Sequence, residues 1–446
     1  MDRVTNRRLV VALMSGMVLI PLNSTMIAVG LVPIARGVHQ PLSTVVWVVT
    51  VYLIVMAAFQ PIAGKLGDLL GHHRLYLAGL GLFFLSSTAA ALIPHLWAII
   101  AFRAGQALSG ACVTPNAMAI IRRAFDQNLL RRALSWVSLT QGLGAAFGPL
   151  VGSLLIHWAG WPAMFWVNVP VLALSLALSW RRLPRRTPAG RERLDYLGSG
   201  LLALLLGVST LTASKLGRTW PLTDLVITVF VILGALFVRE RRYPHPVIDL
   251  TFFRRRAFVA ANLAILLNNF LMYSTLLYMP VYLREHRAST LMSGFLLFLF
   301  SFAMSCMSWV GGFMTRYLSG RQIIAGAFAL SALVVLWYAG LTRDTTVTYV
   351  TMGMVVAGVA TGIATVAIQS TLLESVSKQK AGAASGIYST FRYLGSISAA
   401  TLLTLMLASA VWHGVIILFV SLVGLWITRF IPAGSREAPR ASVSTH

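Results

Sequence analysis

"LVVALMSGMVLIPLNSTMIAVGLVPI" (residues 9–34) runs for 26 residues without a charge. As a helix rising about 1.5 Å per residue it outspans the roughly 30 Å of hydrocarbon in a bilayer. It is also too long for the apolar core of a signal peptide, and another apolar run follows it directly. The segment therefore reads as a membrane span. Yet Asn23, Ser24 and Thr25 stand near its middle. Hydrocarbon offers polar groups no partners, so these three must face other helices or a wet chamber.

The rest of the chain extends this reading. Hydrophobic residues make up 57% of the 446 residues and charged residues 11%. A soluble domain carries about 25% charge, so most of this molecule's outside must meet lipid. Fourteen apolar runs are long enough to cross: 8–35, 42–66, 74–93, 96–121, 133–157, 161–180, 196–214, 221–239, 257–283, 290–314, 321–341, 346–373, 382–408 and 411–430. The expected fold is an all-α polytopic membrane protein. It comprises a six-helix bundle (1–186), a two-helix insert (187–243), a second six-helix bundle (244–434) and a disordered cytoplasmic tail (435–446). No soluble domain remains to house an enzyme, and no cofactor or metal motif appears. Cys112 and Cys306 both lie in apolar runs and read as free thiols.

The net charge of +24 could point to nucleic acid, but the basic residues cluster between spans. With the N-terminus inside, 28 Lys and Arg fall on cytoplasmic segments and 6 on outer loops. That asymmetry is the positive-inside signal and places both termini in the cytoplasm. The last two basic residues, Arg103 and Arg392, lie within spans. An arginine there is costly unless it faces water or a partner, so both are expected to face the interior.

Several short motifs narrow the class. "GKLGDLLGHHR" (64–74) lies between the second and third spans, and "GFMTRYLSGR" (312–321) is a degraded copy at the matching place in the second half. "RAGQALSG" (103–110) falls in the fourth span and "GAAFGPLVGS" (144–153) in the fifth. Together with "HPVIDLTFFRRRAFVAAN" (245–262) and "AGAASGIYSTFRYLGS" (381–396), they resemble the major facilitator superfamily and its fourteen-span drug:proton antiporters. The resemblance implies two lobes related by an internal repeat, rocking about a midplane cavity. It implies gating roles for Gly64, Asp68, Gly71 and Arg74, with Asp68 capping the helix that begins near Ala381. It also implies an antiporter-type hinge at Gly144, Gly148, Pro149 and Gly152, three of them glycines spaced four apart on one helix face. Two departures stand out: Leu69 replaces the usual arginine after Asp68, and Ser153 replaces a glycine.

A third departure concerns the opening question. The resembled subfamily carries an aspartate where this chain has Asn23, and an amide has no titratable proton. All twelve acidic residues fall at span ends or in loops. The chamber is thus expected to be free of carboxylates and neutral to positive, which favours neutral, amphipathic or anionic cargo. Proton coupling would then use an edge acid such as Asp68 or Glu374, a histidine, or a proton on the cargo itself. The expected pathway residues are Asn23, Thr25, Arg103, Gln106, Asn268, Asn269, Gln369 and Arg392, with Gln60, Asn116, Gln141, Asn262 and Tyr273 as further polar candidates. Asn23 and Thr25 either line the cavity or bond across helices as packing contacts.

The resulting expectation is a monomeric exporter of small amphipathic or drug-like molecules in the plasma membrane. Its partners would be the small-molecule substrate, protons and membrane lipids, without nucleic acid. A proton-uncoupled facilitator or lipid transporter is the alternative. A non-transporting sensor is disfavoured because it would want a soluble output domain.

Overall fold

The computed structural model describes residues 3–180 except 126, residue 183, separate residues between 198 and 239, and 250–432 except 287, 316, 340–344, 377–380 and 409. Every regular element among them is helical. The opening apolar run folds as α1 (Arg3–Met17) and α2 (Leu19–Gly37), parted at Val18. Pro21 accounts for the break, because it lacks the N–H that would bond the Met17 carbonyl oxygen and so weakens the helix there. The chain continues through α3 (Leu42–Val45), α4 (Trp47–Leu70), α5 (His72–Leu92), α6 (Leu96–Ala124), α7 (Gln127–Ala159), α8 (Ala163–Trp166) and α9 (Asn168–Trp180). It resumes with α10 (Arg256–Glu285), α11 (Thr290–Met314), α12 (Gly320–Ala339), α13 (Val347–Glu374), α14 (Ala381–Ala408) and α15 (Ala410–Ile427).

Ten helical segments among the described residues are long and apolar enough to cross a membrane. A shorter apolar stretch, Gly320–Val335, lies in α12, and α14 runs unbroken for 28 residues. The expected spans at 196–214 and 221–239 and the tail 435–446 fall largely or wholly outside the described residues. Trp158, Trp309 and Phe419 are largely exposed, as suits side chains turned toward lipid.

The packing repeats itself. In the first half α2 packs on α7, α4 on α6, and α5 on both α6 and α9. In the second half α10 packs on α14, α11 on α13, and α12 on both α13 and α15. These are the same neighbours six spans later. The halves meet through α7 against α11 and α4 against α14. A two-fold exchange of the halves turns each of those contacts into the other, which is the geometry of an internal repeat. α2 also touches α10 on the axis between them.

Small residues set the tightest seams. A Cβ on Gly148 would collide with Thr25 Oγ1 and stand 2.7 Å from the Leu22 carbonyl oxygen. In the second half, a Cβ on Gly395 of α14 would collide with the Leu266 carbonyl oxygen of α10. Hydrocarbon supplies no hydrophobic drive between helices, so such close backbone approach is what holds them together.

Candidate functional site

Where the halves meet, the structure gathers two arginines and several tyrosines. Arg103 lies on α6 and is fully buried. Its Nε donates to the Val48 carbonyl oxygen at 3.1 Å and its Nη1 to Gln106 Oε1 at 3.0 Å. Gln106 is three residues further along the same helix, so it presents on the same face. The guanidinium carbon sits 4.3 Å from the centre of the Tyr52 ring, a cation–π arrangement. Nη2, buried, has no hydrogen-bond partner.

Arg392 comes from α14, in the other half. Its Nη2 donates to Tyr393 OH at 3.3 Å, its guanidinium lies 5.0 Å from that ring's centre, and its buried Nε is unpartnered. Tyr273 of α10 lies within electrostatic range of both cations. Its hydroxyl shares a 3.0 Å hydrogen bond with Ser24 Oγ of α2. The cluster therefore joins α2, α4, α6, α10 and α14.

No carboxylate balances these charges among the described residues. The described acids are Asp68, Glu285 and Glu374, each at or near a helix end. A fully buried Arg103 and a half-buried Arg392, with no counter-charge among the described residues, are costly to hold within spans. Their retention points to a role that needs positive charge.

Asn23 answers the opening question in part. It is buried, and its Nδ2 donates to Gln106 Oε1 at 3.2 Å. That oxygen also accepts from Arg103, while Gln106 Nε2 donates to Ser87 Oγ at 2.8 Å. An amide suits this place because it supplies a donor that a carboxylate lacks. Asn23 thus orients Gln106 behind Arg103. Thr25 donates to the Ala145 carbonyl oxygen at 2.9 Å and bonds across the α2–α7 seam.

The other expected pathway residues scatter. Asn268 donates to the Thr361 carbonyl oxygen at 3.1 Å and ties α10 to α13. Asn269 bonds back to Ile265 in its own helix. Gln369 is exposed, five residues before the end of α13. Of the expected gating residues, Gly144, Gly148 and Gly152 all face α2, meeting Val18, Thr25 and Met26, while Pro149 turns its carbonyl oxygen to Gly294 of α11. Gly71 makes the α4–α5 turn at φ 95°, a region that side chains disfavour. A Cβ on Gly64 would lie 3.7 Å from Pro115, and Arg74 is exposed.

Asp68 does its bonding within the first half. It accepts from Arg123 Nη2 at 2.6 Å and from His72 Nε2 at 3.1 Å. His72 Nδ1 faces Asn116 Oδ1 at 2.7 Å, and Asn116 Nδ2 donates to the Ala63 and Cys112 carbonyl oxygens. The start of α14, the partner that the motif suggested for Asp68, adjoins residues 377–380, outside the described set. Sequence reasoning missed Tyr52, Tyr393, His72 and Ser24 as members of these clusters. Their residue types are common at span ends and in cores, and no spacing singles them out.

Comparison with known proteins matches these features. Residues 13–400 match the Major Facilitator Superfamily. The chain is 39% identical over 424 residues to the uncharacterized MFS-type transporter YvkA of Bacillus subtilis, covering 94% of this chain and 95% of the relative. It is 30% identical over 391 residues to the multidrug resistance protein Stp of Mycobacterium tuberculosis, covering 85% and 72%. Its fold superposes on a crystal structure of a POT family transporter in complex with a thioalcohol-conjugated peptide, with a TM-score of 0.72, 15% identity and 95% of each chain covered.

Proposed function

Since this chain belongs to the major facilitator superfamily, a family of transporters rather than enzymes, we propose that it exports small amphipathic or drug-like molecules across the plasma membrane. Transport proceeds by alternating access between two rocking lobes, residues 1–186 and 244–434, in a fourteen-span chain with both termini in the cytoplasm. Proton antiport supplies the energy. The observation that carries this reading is the position of the arginine–tyrosine cluster. It lies where the repeats meet, so rocking about the α7–α11 and α4–α14 contacts would expose it to one side and then the other. The relatedness to a multidrug resistance protein supports export.

With no carboxylate in the interior among the described residues, the proton route runs through the end of α4. There His72 links Asp68 to Asn116, one ring nitrogen facing an oxygen of each. The uncoupled facilitator remains the second reading, favoured by the same lack of a buried acid. Purified protein in vesicles carrying an internal pH dye, tested against a panel of amphiphiles, decides between them. Antiport requires cargo movement with a counter-flow of protons that an uncoupler abolishes. Movement down a gradient that ignores the uncoupler establishes the facilitator. Vesicles that move no member of the panel count against both.

A further inference from the structure

We propose that Arg103 and Arg392 together form the recognition site for the acid group of an amphipathic organic anion, a carboxylate on an apolar body. The assignment rests on the transport reading above and specifies its cargo. A buried arginine that serves only structure saturates its donors on backbone carbonyls and neighbouring amides. Arg103 saturates two of its three nitrogens in that way, through Val48 and Gln106, and leaves Nη2 bare. Arg392 leaves its Nε bare. Two unfilled donors on cations from opposite halves mark the place of a missing acceptor. The side chains of described acids cannot be that acceptor, because Asp68, Glu285 and Glu374 stand at helix ends.

The walls define the rest of the cargo. The Tyr52 ring lies against Arg103 and the Tyr393 ring against Arg392, so aromatic surface suited to an apolar body borders both guanidinium groups. A guanidinium recognises a planar acid group through paired N–H donors. One buried and one half-buried positive charge repel an ammonium cargo and leave a neutral one without compensation for the donors it buries. An anion satisfies both requirements.

This cargo also explains how a chamber without a titrating side chain can export. An inside-negative potential of about 100 mV favours outward movement of one negative charge by about 50-fold. The potential then adds to the drive that proton antiport gives such cargo.

The test uses the purified full-length chain and three isosteric probes: 1-naphthoate, 1-naphthamide and 1-naphthylmethylammonium. Binding is followed by calorimetry, and folding by the thermal midpoint. The acid should bind at least ten-fold more tightly than the amide, with the ammonium compound weakest. Arg103→Gln and Arg392→Gln should each bring the acid-to-amide ratio close to one while amide binding persists. Arg392→Lys should keep part of the preference. Asn23→Asp places a carboxylate beside Gln106 and toward Arg103, and should lower acid affinity at least ten-fold. If Arg103→Gln does not fold, the Arg392 and Asn23 variants carry the decision. Failure to bind naphthoate, equal affinity for acid and amide, preference for the ammonium, or a ratio unmoved by the Gln variants overturns the proposal. Acid-selective binding in a protein that moves nothing across vesicles would instead refute transport and leave the site intact.

Discussion

Single side chains decide how close α2 and α7 come. Gly148 meets Thr25 Oγ1 and the Leu22 carbonyl oxygen where a methyl group would have to go, and the backbone of α2 cannot yield locally. Gly148→Ala should therefore push the two helices apart and cost about 1–3 kcal/mol. A lower thermal midpoint and a transport rate reduced at least ten-fold are expected. Gly81→Ala on α5 is the control: no heavy atom lies within 4 Å of its added Cβ, and alanine is the better helix former. It should leave both readouts unchanged or raise the midpoint. Equal effects of the two substitutions would show that the seam is looser than drawn. Gly144, Gly148 and Gly152 were legible as a face because four-residue spacing is a helical period. That α2 was the helix they receive was not legible, since nothing in a spacing names a partner.

At the scale of elements, the C-terminal end of α4 is clipped to α5 and α6 by four side chains. Asp68 joins Arg123 and His72, and Asn116 joins His72 and the α4 backbone at Ala63. The Asp68–Arg123 pair is about two-fifths exposed on each side, so it contributes at most about 1 kcal/mol to stability. Under the proposed mechanism its weight is in transport. Asp68→Asn should shift the thermal midpoint by no more than about 2 °C, yet slow transport several-fold. A variant that transports at the wild-type rate would remove the clip from the mechanism. The sequence located this element through "GKLGDLLGHHR" and named Asn116 as a further polar candidate, but it did not link Asn116 to His72. Their roles arise because the Gly71 turn folds α5 back along α4 and brings α6 against both.

The whole molecule offers a contact suited to testing rocking. Ser305 of α11 donates to the Gly142 carbonyl oxygen of α7 at 3.2 Å, across the boundary between the halves. A Cβ on Gly142 would lie 3.9 Å from that of Ser305, close to the mean separation in a disulfide. In a Cys112→Ala, Cys306→Ser background, Gly142→Cys with Ser305→Cys should cross-link on oxidation. Transport should fall to background and recover on reduction. Formation of the bond without loss of transport would show that the halves do not move apart there. Nearby, Phe147 and Phe298 pack with centroids 5.0 Å apart across the same boundary, so the contact is continuous along both helices.

The sequence by itself determined that the chain is a bundle of membrane-crossing helices, because apolar length and the exclusion of charge are one-dimensional properties read residue by residue. It also determined that charge-bearing groups within spans would be two arginines and no acid. Only the tertiary structure decided what those arginines face. Arg103 and Arg392 are 289 positions apart, and their approach to Tyr273 depends on two helix bundles meeting in register. It likewise decided that Asn23 supports Gln106 while Thr25 closes a seam. Hydrogen-bond partners across helices are set by rotation and depth, and no local pattern encodes those.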